Sequence, residues 1–359
     1  MAPVPVVRAI EKFRLTLDNI RKKSYPAPVA LMEMLTAHWL SSALIVAAEL
    51  DIAGHLRDGA QPVESLAEKT QSHTDALYRV LRTLAATGIF EEHDGRTFAL
   101  NDAARPLLAD DPGSIRGMCL MNGRAFHWDA WGELRHAVRT GQSVVEHQQG
   151  KTLFEHLSSN PNDADAFNGA MTGWASQAAA AVARALDFSR FGLIADIGGG
   201  HGLFLGTILR ETPTSGGLLF DQPSVVEGAG PTLRKQGVAT RVRIEGGSFF
   251  ERVPEGADAY LMKNILHDWG DEKSVEILKI VRKSMRPEAR LLIVESVIPE
   301  QSGEYHIGKL IDLEMLVFTD GGKERTRREF EALFAASGFE LVKIHPTIAI
   351  ESIVEARPI

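Results

Sequence analysis

His267 stands between an apolar run, Ala259-Tyr260-Leu261-Met262, and a helix start expected at Asp271. An imidazole titrating near its ordinary pKa of about 6.5 takes up a proton at neutral pH. Glu295 follows the next apolar run, Arg290 to Val294, and its carboxylate could orient the imidazole or hold its protonated form. Upstream, the segment Asp196-Ile197-Gly198-Gly199-Gly200-His201-Gly202 places glycines where backbone can approach a ligand closely at the start of a helix. Asp221 ends the following apolar run, about 20 residues on, where a carboxylate can accept from both hydroxyls of a ribose. The dinucleotide fingerprint G-x-G-x-x-G requires glycine at position 203, and the chain has Leu203. The G-x-G-x-G spacing favours S-adenosylmethionine, which carries no pyrophosphate, and no basic phosphate clamp is seen.

These residues share a pattern. From Leu193 onward, short apolar runs alternate with helical segments, which predicts an open, mostly parallel sheet with helices on both faces. Ligands of such sheets bind beyond the carboxyl ends of the strands. The first polar groups after the five runs are Asp196 with its glycine loop, Asp221, Gly247-Ser248-Phe249-Phe250, Lys263 with His267-Asp268, and Glu295. Five strands thus deliver polar groups to one edge. Farther on, Gly321-Gly322-Lys323-Glu324-Arg325-Thr326 suits a loop folding over a site, while Thr326 and Glu329 fit a capping box for a helix running to Ser337.

The first third reads differently. Leu31, Met34, Leu35, Trp39, Leu44, Ile45 and Ala48 make one helix apolar on more than one face, as expected of burial against another subunit. Leu40 to Leu50 reads as too short to span a bilayer, and Met1 to Ser24, charged at Arg8, Glu11, Lys12 and Arg14, lacks a signal-peptide core. A cytoplasmic location is the expectation. Two short helices, at Pro62–Ala67 and Thr74–Thr87, precede a hairpin of Ile89–Glu92 and Thr97–Leu100, a winged-helix pattern. A DNA-binding regulator using Arg79 and Arg82 is the alternative of a different class. The net charge of −8 argues against it, because phosphate contacts need a basic footprint. Cys119 alone excludes an internal disulfide and argues strongly against a cysteine-based metal site.

The motifs from Asp196 to Gly202, Phe220-Asp221-Gln222-Pro223, Gly247-Ser248-Phe249-Phe250, Leu266-His267-Asp268-Trp269 and Gly321 to Thr326 occur in order. Together they resemble the small-molecule S-adenosylmethionine-dependent O-methyltransferases of the caffeate, acetylserotonin and bacterial polyketide type, over nearly the whole chain. The resemblance implies a Rossmann-like, doubly wound, mostly parallel seven-stranded sheet after a mainly helical, winged-helix-like dimerisation domain. The expected boundaries are 1–105 for that domain, 106–185 for a helical linker contributing to the substrate pocket, and 186–359 for the catalytic domain. It implies His267 as general base flanked by Glu295 and Glu324, and cofactor contacts from Asp196, Gly198, Gly200, Asp221 and Lys263. Phe249 is expected to pack on the adenine. Ser248 departs from the family, which usually has aspartate there to accept from the adenine amino group; a serine oxygen accepts without charge. Phe167 and Met171 fall where the family lines the methyl-donor region. Asp268, Met315 and Phe318 are acceptor candidates, although the two apolar ones suit an ordinary core equally well.

The expected reaction is methyl transfer from S-adenosylmethionine to a hydroxyl of a small aromatic acceptor, releasing S-adenosylhomocysteine. N-methylation or other chemistry assisted by the same cofactor is the alternative within the fold. A homodimer is expected, with no metal, no nucleic acid and no membrane.

Overall fold

The computed structural model describes residues 4–301 and 303–359. The side chains of Arg8, Glu11 and Lys12 lie outside the described residues. The chain forms two compact units. One comprises residues 10–129 and 157–174; the other comprises 130–156 and 175–359 together with the described part of 1–9.

In the first unit, helices Val63–Lys69 and Thr74–Ala86 pack Leu66, Leu77, Leu81 and Leu84 into a core with Phe90 and Phe98. A small antiparallel sheet adjoins them, with β3 (Thr97–Ala99) between β1 (Gln61–Pro62) and β2 (Glu91–His93). The hairpin strand starts two residues later than the sequence suggests. Phe90 has φ +69° and is 1% exposed, so a left-handed kink turns its ring into the core and ends extended pairing there. Leu40 to Glu49 lies within one 23-residue helix, Ala27–Glu49, and although the apolar stretch alone is too short to span a bilayer, the whole helix is long and apolar enough by composition to cross one. Leu31, Met34, Leu35 and Trp39 on this helix are all exposed.

The second unit is built on an eight-stranded sheet. Its strands are β4 (Leu193–Ile197), β5 (Gly216–Asp221), β6 (Val242–Gly246), β7 (Ala259–Lys263), β8 (Arg290–Ile298), β9 (Arg325–Thr326), β10 (Phe339–Pro346) and β11 (Glu351–Pro358). The order is β10-β11-β8-β7-β4-β5-β6, with the two-residue β9 pairing in parallel with β8. That short strand is the addition to the seven expected. β11 is antiparallel to both strands beside it, β10 and β8, and the remaining pairs are parallel. Both faces are buried, as alternation along β7 shows: Tyr260 and Met262 join one core, Ala259 and Leu261 the other. From β4 the chain moves outward through β5 and β6, then returns to β7 on the other side of β4. The switch point where strand order reverses therefore lies between the carboxyl ends of β4 and β7.

Candidate active site

The glycine loop leaves β4 at this switch point. Gly198, Gly200 and Gly202 have φ of +72°, +57° and +76°, a conformation costly for side-chain-bearing residues. A Cβ at Gly198 would lie 2.4 Å from the Ile265 side chain, whereas one at Gly200 would meet nothing within 4 Å. The backbone beside Gly200 therefore faces open space. Asp221, at the end of β5, accepts from the Gly200 N–H at 2.8 Å and from the Gln222 N–H at 2.7 Å. Burial raises its pKa, against the pull of those two donors. Asp196 lies beneath the loop, 1% exposed, with Oδ2 lacking a hydrogen-bond partner. Burial first, then repulsion from Asp221, raises its carboxyl to about 7. These features fit S-adenosylmethionine: an open cradle of positive-φ glycines and an acid at the neighbouring strand end.

The end of β7 is built in another way. The Lys263 side chain is 10% exposed, and its Nζ lies 3.6 Å from Glu351 Oε1; burial lowers its pKa. A one-turn 3-10 helix, Leu266–Asp268, follows and carries His267 at 8% exposure. His267 Nδ1 lies 2.8 Å from Glu324 Oε1, and Nε2 lies 3.5 Å from Asp268 Oδ1. Burial alone would lower the imidazole pKa, but Asp268 and Glu324 outweigh it and hold it at about 9. Asp268 is itself raised to about 6, by burial, against the pull of His267.

Glu295 departs from the arrangement expected for it. Its Oε1 does not bond the imidazole but accepts from the backbone N–H groups of Ile265, Leu266 and His267 at 3.2, 2.7 and 3.2 Å. A strand-end carboxylate one strand over meets the exposed N–H groups that open the turn, so it holds backbone rather than ring. Its carboxyl is fully buried and raised to about 7 by burial, and Oε2 has no partner.

The segment Gly321–Thr326 wraps this turn. A Cβ at Gly322 would lie 2.5 Å from His267 O and 2.1 Å from Thr319 Oγ1, so only glycine allows that close approach. Glu324 then reaches the ring, its own N–H donating to Asp312 at 2.9 Å. Arg325, fully buried, donates to Leu266 O and Trp269 O, both at 2.8 Å. Thr326 and Glu329 form the expected capping box, starting helix Arg327–Ser337.

The remaining expected residues are distributed as follows. Ser248 Oγ accepts from the Phe250 N–H at 3.2 Å, so one of its lone pairs is occupied within its own turn. Phe249, Phe250 and Trp269 form an aromatic group beyond β6 and β7, with Phe250 and Trp269 rings 4.8 Å apart. Met315 and Phe318 are buried on helix Gly308–Phe318, which also carries Asp312. Phe167 and Met171 belong to the other compact unit and are half-buried there. Arg325 and Glu351 escaped the sequence reading. Among the described residues, no group of His, Cys, Asp and Glu is arranged to hold a metal ion.

Two families match this chain: the O-methyltransferase domain over residues 131–340 and the O-methyltransferase dimerisation domain over residues 32–110. Phenazine O-methyltransferase PhzM of Lysobacter antibioticus is 42% identical over 342 residues, covering 95% of this chain and 99% of the relative. The solved structure of LaPhzM superposes with a TM-score of 0.89 at 43% identity, covering 93% of this chain and all of that one (100%). The neocarzinostatin-biosynthesis O-methyltransferase NcsB1, solved with S-adenosylmethionine and 2-hydroxy-5-methyl naphthoic acid, gives a TM-score of 0.75 at 30% identity, covering 89% of this chain and 96% of that one.

Proposed function

The chain belongs to the S-adenosylmethionine-dependent O-methyltransferases, and from that premise we propose that it methylates a hydroxyl of a planar, fused-ring aromatic acceptor with His267 as general base. The observation that carries the role of His267 is its 2.8 Å contact with Glu324 through Nδ1. With Nδ1–H donating to that carboxylate, Nε2 holds the lone pair that accepts the acceptor's proton. The resulting imidazolium is held between Glu324 and Asp268, which lies 3.5 Å from Nε2. S-adenosylmethionine, when bound, supplies the electrophilic methyl group. Gly198, Gly200 and Asp221 are the residues to hold it, with Asp196 and Lys263 supporting the loop and the strand end from beneath. Ser248 and Phe249 are assigned to the adenine side, and Asp268, Met315 and Phe318 to the acceptor side. Glu324 orients the base, and orientation of this kind lowers a barrier by several kcal/mol.

The fused-ring class draws on the relatives, a phenazine methyltransferase and one crystallised with a naphthoic acid. A homodimer formed through the dimerisation domain gives the exposed apolar residues of Ala27–Glu49 a second copy as cover. The test is incubation with methyl-labelled S-adenosylmethionine and 1-hydroxyphenazine, 1,4-dihydroxy-2-naphthoic acid and single-ring phenols, followed by mass spectrometry. Gain of one labelled methyl on oxygen of a fused-ring acceptor is expected. Transfer to nitrogen, or to single-ring phenols only, would overturn the proposal.

A further inference from the structure

The turn that carries His267 is gripped by charges buried on adjacent strands. At its start, Glu295 Oε1 accepts three consecutive backbone N–H groups, from Ile265 to His267. Across it, the two terminal nitrogens of the Arg325 guanidinium donate to Leu266 O and Trp269 O, on either side of His267. The same guanidinium donates through Nε to Asp271 Oδ1 at 3.1 Å and through Nη2 to Ser274 Oγ at 3.1 Å. Glu295 and Arg325 are both 0% exposed. Their relative placement follows from sheet pairing, because Arg325 pairs with Val297, two residues along β8 from Glu295.

We infer that Arg325, opposed by Glu295, is a positioning residue for methyl transfer: it clamps the backbone on either side of His267 while its chain neighbour Glu324 holds the ring. The chemistry of the side chain supports this. A guanidinium presents a planar fork that spans two carbonyls, and an ammonium is a point donor that satisfies one. A fully buried cation whose ion pair is with Asp271, a half-exposed side chain, is a poor device for stability alone, since apolar packing commonly does as well. What it holds is the backbone of the candidate base. The inference rests on the reading of His267 as base, and its test therefore includes a measurement that needs no acceptor.

The full-length protein labelled with 15N-histidine serves, as wild type, Arg325→Lys, Arg325→Met and the control Arg357→Met, an exposed residue paired with Glu340. The Nδ1 proton of His267, assigned by its loss in His267→Asn, is followed by NMR for its exchange with solvent. In parallel, S-adenosylhomocysteine affinity is measured by calorimetry, and kcat and KM with 1-hydroxyphenazine. Arg325→Lys should speed ring-proton exchange by about tenfold or more, as expected when one charge-assisted bond to the turn is lost. It should lower kcat with S-adenosylhomocysteine affinity unchanged, and Arg357→Met should change neither. Ring-proton exchange in Arg325→Lys and Arg325→Met within about twofold of wild type overturns the clamp. If Arg325→Met fails to fold, Arg325→Lys alone decides. Full activity in His267→Ala would instead overturn the base assignment, leaving the exchange result to judge the clamp by itself.

Discussion

The glycine loop after β4 and the His267 turn after β7 end neighbouring strands of one sheet, yet they are built in opposite ways. The loop works by missing atoms: three positive-φ glycines, open space at Gly200, and one carboxylate taking two backbone N–H groups. The turn works by dense charge: Glu295 on its N–H groups, Arg325 on its carbonyls and Glu324 on its imidazole, all three buried. The lesson is a division of labour. A region that must admit and release a ligand is left open and flexible in side-chain demand. A region that must hold one ring atom in place is enclosed and over-determined.

Substitutions that separate the two regions probe this contrast. The largest effect is expected from His267→Ala, which should lower kcat by about 10²–10⁴-fold while leaving S-adenosylhomocysteine affinity unchanged in calorimetry. A parallel loss of affinity would show that the regions are not separable. Asp221→Asn should do the converse, weakening S-adenosylhomocysteine by roughly tenfold to a hundredfold, with kcat at saturating cofactor close to wild type. Glycine replacements separate the two regions by sterics. Gly322→Ala drives a Cβ against His267 O and should destabilise the fold by about 1–3 kcal/mol in denaturant unfolding, with activity falling in step. Gly200→Ala meets no protein atom, so its stability loss should stay near the cost of the left-handed backbone, about 1–2 kcal/mol, and its main effect should be on cofactor binding.

The two regions also differ in how much of them the sequence discloses. The loop is contiguous and written in glycines, and Asp221 follows at a set interval, so residue types alone point to both. The strand alternation likewise exposes the parallel sheet. His267 is locatable because it follows a strand end, but Glu324 is 57 residues away and was assigned only through family resemblance. The partners of Arg325 are backbone carbonyls 59 and 56 residues distant, and carbonyls carry no residue-type signature. In the sequence, Arg325 is one charge among several on a loop. Glu295 was legible in place but not in contact, since which atoms a strand-end carboxylate meets depends on the turn beside it. Glu351 was missed for a topological reason. Strand-end reading takes the residue after each strand, and the antiparallel β11 brings its first residue, paired with Ser296, to that same edge.

The pH dependence of kcat/KM in wild type and Glu324→Gln decides whether the turn tunes His267 as the base. The neutral imidazole is the base, so activity should rise with pH toward the His267 pKa of about 9 and level off above it. Glu324 is among the groups that raise that pKa, so Glu324→Gln should move the rising limb to lower pH while reducing the plateau. A limb at the same pH in both proteins would belong to the acceptor's own hydroxyl, and it would contradict a base clamped and tuned by the turn.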